Sequence, residues 1–218
     1  MSQFKIIALS GWKGSGKDEV AKYLKQQYFI HRVALADPLK AQVASEFNIP
    51  LEWCHDPDYK EKPIVGLPVA PKDKFSEAIV ELLKNELKLG YWTPRALCIL
   101  KGSTCRAVDS DHWLKATIKD IKDEMADPSC IDLPNVVAWA NGVAITDVRY
   151  RSEMEALKKE FPNIACIRIN RHASINTTDP SERDLDDYSF DYVIENKGTI
   201  KQLHKAIDEV MDAISKKS

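Results

Sequence analysis

Residues 4–24 of the chain have the sequence FKIIALSGWKGSGKDEVAKYL, and this stretch decides the fold class. The apolar run Phe4–Leu9 has the composition of a buried β-strand. After a glycine-rich turn, the apolar residues Val20, Ala21 and Leu24 recur at helical spacing. A strand, a glycine-rich turn and a helix in this order are the context that a phosphate-binding loop requires. The stretch therefore predicts a nucleotide-binding loop.

The turn itself, GWKGSGKD, fits the pattern G-x-x-x-x-G-K and departs from the usual loop only at Asp18, where Ser or Thr is expected. Glycines let backbone N–H groups surround phosphate oxygens, and Lys17 would reach the β- and γ-phosphates. Asp18 could hold Mg²⁺ through water, orient an acceptor or cap the helix, and the sequence leaves these alternatives open. The ATP-binding residues predicted in the loop are Gly11, Lys13, Gly14, Ser15, Gly16, Lys17 and Asp18.

Composition indicates a soluble globular protein of 218 residues, with 44% hydrophobic and 29% charged residues and a net charge of −2. This charge provides no overall basic field for nucleic acid or an anionic membrane. No apolar run approaches the roughly 20 residues that cross a bilayer, and the N-terminus lacks a signal-peptide pattern. The five cysteines are widely spaced, which favours reduced thiols. We therefore expect a cytoplasmic protein that binds neither nucleic acid nor membrane.

Strands alternate with helices along most of the chain, which predicts an α/β fold with a mainly parallel central sheet flanked by helices. Residues 37–92 are more polar and richer in proline, and we expect them to form an inserted, mostly helical acceptor-binding segment with a helix at 76–89. The polar segment 171–187 has the composition of a lid that excludes water. A single domain is predicted, with its core at 1–36 and 93–218.

Five sequence blocks carry a resemblance to a known family: LSGWKGSGKD, ALADPLK, WTPRALCILKGSTCRAVDSDHWLKA, ITDVRYRSEMEAL and FDYVIENKGTIKQL. They occur in the order seen in phage-type deoxynucleoside monophosphate kinases, where an Asp after the loop lysine is usual. The resemblance implies a P-loop kinase fold and an ATP-dependent phosphotransferase that uses Mg²⁺ to phosphorylate deoxynucleoside 5′-monophosphates. It also implies a bacteriophage enzyme acting in the host cytoplasm, and it suggests a homodimer.

The resemblance also assigns roles to residues outside the loop. It implies that Asp147 positions the metal or the acceptor and that Arg149 neutralises charge on the transferred phosphate. Both residues follow an apolar strand, at an edge where α/β sheets bind ligands. The predicted catalytic residues are Lys17, Asp18, Arg106, Asp147 and Arg149.

Arginines are the expected ligands of the acceptor phosphate, because their planar fork holds phosphate oxygens through two hydrogen bonds. Thr93-Pro94 predicts the start of a helix, with Thr93 as its cap, and this helix carries Arg95 and runs towards Gly102. Arg106 follows at the exit of the helix, and we expect the two arginines to converge on this phosphate. Aromatic side chains are candidates for stacking on the base, among them Trp53 and Tyr59. The predicted substrate-binding residues are Asp37, Lys40, Trp92, Arg95, Arg106, Trp113, Asp147 and Arg149.

Two further residues complete the predicted ATP site. Arg171 opens the lid, where Arg183 is a second candidate cation, and Asn196 ends the last strand, near the place expected for adenine.

Two alternative functions remain open at this stage. Animal-type phosphomevalonate kinase is similar at SGKD, PLK, TDVR and FDYVIEN, although the match is poorer across WTPRALCILKGSTCR. A nucleotide-dependent switch or binding module is a different class of protein, and it is disfavoured because IENKGT lacks the final Asp of the guanine signature NKxD.

Overall fold

A computed structural model of the chain describes residues 4–68, 88, 90–126, 141–171 and 183–217. Most of the helix predicted at 76–89 and the interior of the predicted lid, 172–182, lie outside these residues. The chain divides into two compact units, residues 1–35 with 117–218 (unit 1) and residues 36–116 (unit 2). No helix of the described residues is both long enough and apolar enough to span a membrane.

The helices of the described residues are numbered along the chain as follows: α1 (Lys17–Tyr28), α2 (Asp37–Glu46), α3 (Leu51–His55), α4 (Pro94–Val108), α5 (His112–Ala126), α6 (Arg151–Glu160) and α7 (Ile200–Lys217). The strands are β1 (Lys5–Ser10), β2 (Ile30–Ala34), β3 (Gly142–Thr146), β4 (Ala165–Asn170) and β5 (Tyr192–Glu195).

The five strands form one sheet in unit 1, in the order β2-β3-β1-β4-β5. Each neighbouring pair is parallel. The carboxyl ends of β1, β3 and β4 therefore lie side by side at the centre of one sheet edge. The predicted α/β fold with a mainly parallel sheet flanked by helices is confirmed.

Alternating side chains of the sheet pack against helices on its two faces. Ile167 and Ile169 of β4 lie in an apolar core to which α1 and α7 contribute Leu24 and Ile207. Because successive strand residues point to opposite faces, Cys166 and Arg168 of the same strand lie on the other side. There, the Cys166 Sγ lies 3.4 Å from the Sδ of Met154 on α6. The opposite face also carries Arg168 towards the end of β4.

Unit 2 is organised by α2, α3 and α4 around a separate apolar cluster. The helix α4 begins at the predicted cap, since the Thr93 Oγ1 accepts a hydrogen bond from the N–H of Ala96 at 3.2 Å. It does not end near Gly102, as predicted, but continues to Val108. Gly102 is buried, and a Cβ there would lie 3.2 Å from the Cδ2 of Leu39, so the glycine permits close packing. Unit 2 thus extends beyond the predicted insertion and includes α4.

Candidate active site

Two glycines shape the loop between β1 and α1. Gly16 has φ +109°, in the left-handed region, and a Cβ there would lie 2.7 Å from the Nδ2 of Asn196. A Cβ at Gly11 would collide with the carbonyl oxygen of Ile169 on β4. Any larger side chain at these positions would therefore displace the loop from β4 or from Asn196.

The helix α1 begins at Lys17, and its N-cap is Gly16. Asp18 is consequently the second residue of the helix, and the alternative that Asp18 caps the helix is wrong. The Asp18 side chain is exposed at the positive end of the helix dipole, where a carboxylate is favourable. This position leaves its oxygen atoms open to solvent and to a cation.

Carbonyl oxygens of the loop hold the side chain of Lys17. Its Nζ donates hydrogen bonds to the carbonyl of Gly11 and, at 3.0 Å, to that of Trp12. The ammonium group therefore lies folded against the loop, where backbone curvature and the start of α1 already favour an anion.

A pocket opens beside this loop, at the carboxyl ends of three strands. The loop contributes its residues after β1, the segment after β3 contributes Asp147 and Arg149, and β4 contributes Arg168. Four cationic side chains and two carboxylates line it, which favours a polyanionic ligand. The lining residues are Ser10, Gly11, Lys13, Gly14, Lys17, Asp18, Asp147, Val148, Arg149, Arg168 and Leu185. The structure thus brings most of the predicted loop residues together with Asp147 and Arg149, whereas Ser15 and Gly16 do not line the pocket.

Asp147 has a strained backbone. Its φ is +64°, which is uncommon for a residue other than glycine. The next residue, Val148, is 3% exposed, and the Asp147 Oδ2 lies 4.0 Å from the Nη2 of Arg32 on β2. Such strain concentrates at functional sites, where the surrounding structure holds a side chain in place.

The carboxylates of this pocket fit the requirements of Mg²⁺. This ion is usually held by one or two carboxylates together with phosphate oxygens and water. Asp18 and Asp147 line the same pocket and supply oxygen ligands of the right kind. No group of three or more His, Cys, Asp or Glu side chains that could hold a metal occurs in the part of the chain that the structure describes. A bound metal would therefore depend on phosphate oxygens as well as on these carboxylates.

Arg168 is a residue of this site that the sequence interpretation missed. Its side chain is 8% exposed, and its Nη2 donates to the Oδ1 of Asp186 at 2.6 Å. Its Nη1 donates to the Oγ of Ser10 at 3.1 Å, across the register pair that the two residues form between β1 and β4. The signal that could have found it is a single arginine inside the otherwise apolar strand ACIRIN.

Asn196 and Arg171 lie outside the lining of the pocket. The Asn196 side chain donates from Nδ2 to the carbonyl of Ser15 at 2.8 Å, and the residue is only 9% exposed. This hydrogen bond stabilises the phosphate loop, and contact of Asn196 with adenine stays a prediction. Arg171 comes directly after β4 and is exposed. Arg183, the first residue described after 172–182, is exposed as well.

Polar contacts between α1 and α7 support the helix that carries Lys17. The Tyr28 hydroxyl donates to the Oδ1 of Asp208 at 2.7 Å, and the His204 Nε2 lies 2.8 Å from the Oε1 of Glu19. Burial and the nearby Asp208 carboxylate raise the pKa of Tyr28 above its usual value near 10. Tyr28 therefore stays protonated as a hydrogen-bond donor at neutral pH.

Six of the eight predicted substrate-binding residues lie in unit 2, where the structure keeps Arg95 and Arg106 apart. Both are on α4, three helical turns from each other, so the rise of the helix separates their Cα atoms by about 16 Å. Arg95 forms an exposed ion pair with Glu61, and the Arg106 guanidinium lies against Gly102. The expected convergence of the two side chains on one phosphate is not observed.

The predicted base-stacking residues divide into a buried pair and a more accessible pair. Trp92 and Trp113 are 8% and 6% exposed and belong to the apolar core of unit 2, so their packing is explained without a bound base. Trp53 and Tyr59 instead stack on each other with ring centroids 6.0 Å apart, and Tyr59 is 43% exposed. Burial therefore gives the first pair a packing role, and contact of Trp92 and Trp113 with substrate stays a prediction.

Asp37 and Lys40 occupy the first turn of α2. The Lys40 Nζ lies 3.6 Å from the Asp37 Oδ1 and 3.4 Å from the Nδ1 of His55. This places a lysine and a carboxylate together on unit 2, as their spacing predicts. Their role in acceptor binding stays a prediction.

Comparisons with known proteins give one informative match. The sequence model of the family "Deoxynucleotide monophosphate kinase" matches residues 5–67, less than a third of the chain. This region contains the phosphate loop. The resemblance predicted from the sequence is confirmed over this region. No curated protein matches the chain by sequence.

Two similar solved structures are too distant to support an argument. One is an unliganded sugar kinase from Janibacter sp. HTCC2649, with 11% identity, coverage of 97% of this chain and 98% of that chain, and a TM-score of 0.44. The other is TT1252 from Thermus thermophilus, with 14% identity, the same coverage and a TM-score of 0.45. The identification therefore depends on the family match and on the site: residues 5–67 are similar to the deoxynucleotide monophosphate kinase family, which supports a phosphotransferase.

Proposed function

We propose that this protein is a deoxynucleoside monophosphate kinase, which transfers the γ-phosphate of ATP to a deoxynucleoside 5′-monophosphate and releases ADP and a diphosphate. The observation that carries the proposal is the pocket in which the phosphate loop, Asp147 and Arg149 meet. The family match over residues 5–67 supports the class of acceptor.

In the proposed reaction, the loop binds the phosphates of ATP through its backbone N–H groups and Lys17. An oxygen of the acceptor's phosphate attacks the γ-phosphorus in line, and the bond from that phosphorus to the oxygen bridging it to the β-phosphate breaks. A phosphate monoester is already ionised near neutral pH, so the site needs no strong base. Lys17 and Arg149 stabilise the charge that spreads over the transferred group.

Two acidic residues organise the proposed site. Asp18 and Asp147 would hold Mg²⁺, which when bound neutralises phosphate charge, and Asp18 makes this contact directly or through water. Both carboxylates border the same pocket as Lys17, so their negative charge is offset by the surrounding cations. In this role, neither carboxylate acts as a base.

Unit 2 supplies the acceptor ligands in this proposal. Arg95 and Arg106 are the candidate phosphate ligands. The half-buried Trp53 and the exposed Tyr59 are the better candidates for base stacking. Because the two arginines are three turns apart, we propose that only one of them binds the acceptor phosphate directly. A homodimer acting in the cytoplasm of a phage-infected cell belongs to the same proposal.

The test is a phosphoryl-transfer assay with ATP and Mg²⁺, in which each deoxynucleoside monophosphate, each ribonucleoside monophosphate and phosphomevalonate is offered in turn. We expect ADP to form together with a deoxynucleoside diphosphate. Turnover of phosphomevalonate alone would contradict the proposal and support the first alternative. Slow ATP or GTP hydrolysis that no monophosphate accelerates would instead support a nucleotide-dependent switch.

A further inference from the structure

Arg168 is a buried cation at the edge of the phosphate pocket. Its side chain is 8% exposed, and it lies on the face of β4 opposite the core formed with α1 and α7. A buried charge is costly unless it is paired and hydrogen-bonded. Its ionic partner, Asp186, is itself 37% exposed. A neutral side chain at this position would avoid the desolvation cost of burying a charge.

The hydrogen bonds of this guanidinium leave part of it unused. Arg168 donates from Nη2 to Asp186, from Nη1 to Ser10 and, at 3.4 Å, from Nε to the Oδ1 of Asn170. A guanidinium has five N–H donors. Two donors, one on each terminal nitrogen, therefore have no hydrogen-bond partner among the residues that the structure describes. Arg168 nevertheless lines the pocket beside Lys17 and Arg149.

Two aromatic rings and the phosphate loop fix the position of the guanidinium. Its central carbon lies 5.7 Å from the centroids of both Trp12 and Phe190. The Trp12 Nε1 donates to the Oδ1 of Asp186 at 3.0 Å, the same oxygen that accepts from Arg168. Trp12 is a residue of the loop, and its carbonyl holds Lys17. The unused donors are therefore held in a fixed relation to the loop, which is the preorganisation that an anion site requires.

We infer that Arg168 is a phosphate-binding residue, whose two remaining N–H donors bind oxygen atoms of the donor triphosphate in the loop pocket. The inference rests on the proposed function, because it takes the loop as the ATP site. A planar fork with two parallel donors matches a phosphate group, and partial burial strengthens each charged hydrogen bond. The structural alternative is that Arg168 only neutralises Asp186 and keeps Trp12 in place.

The experiment measures binding of ATP and of inorganic tripolyphosphate by calorimetry, with Mg²⁺ present, for the full chain and three variants. Arg168→Met removes the donors. The double variant Arg168→Met/Asp186→Asn also removes the carboxylate that would be left without its cation, while the amide oxygen can still accept from Trp12. Arg151→Met is the matched control, since Arg151 likewise pairs with a carboxylate, Asp187 at 2.8 Å, but does not line the pocket.

We expect Arg168→Met to weaken tripolyphosphate binding about tenfold or more, as for loss of a charged hydrogen bond. The double variant should recover thermal stability but not this affinity, and Arg151→Met should bind as the unmodified chain does. Unchanged tripolyphosphate binding in the double variant would overturn the inference alone, because Arg168 would then only balance Asp186. Failure of the unmodified chain to bind ATP or tripolyphosphate would overturn the proposed function, and this inference with it.

Discussion

Two arginine–carboxylate pairs, one in each unit, differ in what surrounds them. Arg168 of unit 1 pairs with Asp186 and is 8% exposed, whereas Arg95 of unit 2 pairs with Glu61 and is 48% exposed. An exposed pair contributes little to stability because water and salt screen it, and its partner is easily exchanged. A buried pair is costly to form and is held rigidly. The same residue types are thus preorganised in unit 1 and free to change partners in unit 2.

Under the proposed function, this difference predicts that the two units bind phosphate at different energetic cost. In unit 1, backbone, lysine and arginine donors are already arranged around one pocket, so a ligand loses little energy in ordering them. In unit 2, the candidate cation Arg95 must leave its solvent-exposed ion pair with Glu61 before it binds an acceptor. We therefore expect substitutions in unit 1 to have larger effects on turnover.

The largest effect is expected for Lys17→Ala, which removes the cation held by the loop carbonyls. Turnover in the phosphoryl-transfer assay should fall at least about a hundredfold, as for loss of a donor that stabilises a transition state. The matched control is Lys22→Ala, an exposed lysine on the same helix. Circular dichroism should show both variants folded. Near-normal turnover of a folded Lys17→Ala protein would refute the assignment of the loop.

A smaller effect is expected from Gly16→Ala, measured against Gly66→Ala. Both glycines have a positive φ, +109° and +86°, so both substitutions incur backbone strain of about 1 kcal/mol. Only at Gly16 would the new Cβ meet Asn196, while the space around Gly66 is open. We therefore expect Gly16→Ala to lower the free energy of unfolding by about 1 kcal/mol more than Gly66→Ala does, because the hydrogen bond from Asn196 to the carbonyl of Ser15 is lost.

The same pair of variants separates loop geometry from general strain. ATP binding by calorimetry should weaken in Gly16→Ala and stay unchanged in Gly66→Ala, which lies in unit 2. Equal loss of stability and equal ATP affinity in the two variants would show that Asn196 does not support the loop.

The smallest effect is expected for Arg95→Ala. The KM for the deoxynucleoside monophosphate should rise about tenfold if this arginine binds the acceptor phosphate, with the KM for ATP unchanged. The free energy of unfolding should change by less than about 1 kcal/mol, since the pair with Glu61 is exposed. Lys101→Ala on the same helix, where Lys101 pairs with Glu46 at 2.6 Å, is the control and should leave both KM values unaltered. A normal acceptor KM in Arg95→Ala would leave Arg106 as the candidate.

The structural features predicted correctly from the sequence depend on residues that are close together in the chain. Thr93 caps α4 as expected, because a cap depends on a few neighbouring residues. The stop near Gly102 was wrong, since tertiary packing against Leu39 accommodates this glycine within the helix. Local signals of this kind locate an element better than they locate its end.

Burial could not be predicted for individual aromatic residues. Trp92 and Trp113 are buried in the core of unit 2. Trp53 has the same residue type, yet it is only partly buried against this core and stacks with an exposed tyrosine. The sequence alone does not distinguish a core indole from one that could meet a base, because burial depends on neighbours that are distant in the chain.

By itself, the sequence determined the phosphate loop, the α/β class and the placing of Asp147 after a buried strand, because spacing and turn chemistry act over a few residues. Only the tertiary structure decided that Arg168 lies beside Lys17, since Ser10 and Asp186 reach it from 158 and 18 residues away. Parallel pairing of β1 with β4 brings these distant residues to one sheet edge. The partners of this buried charge are distant in the chain, so no local sequence pattern could reveal them.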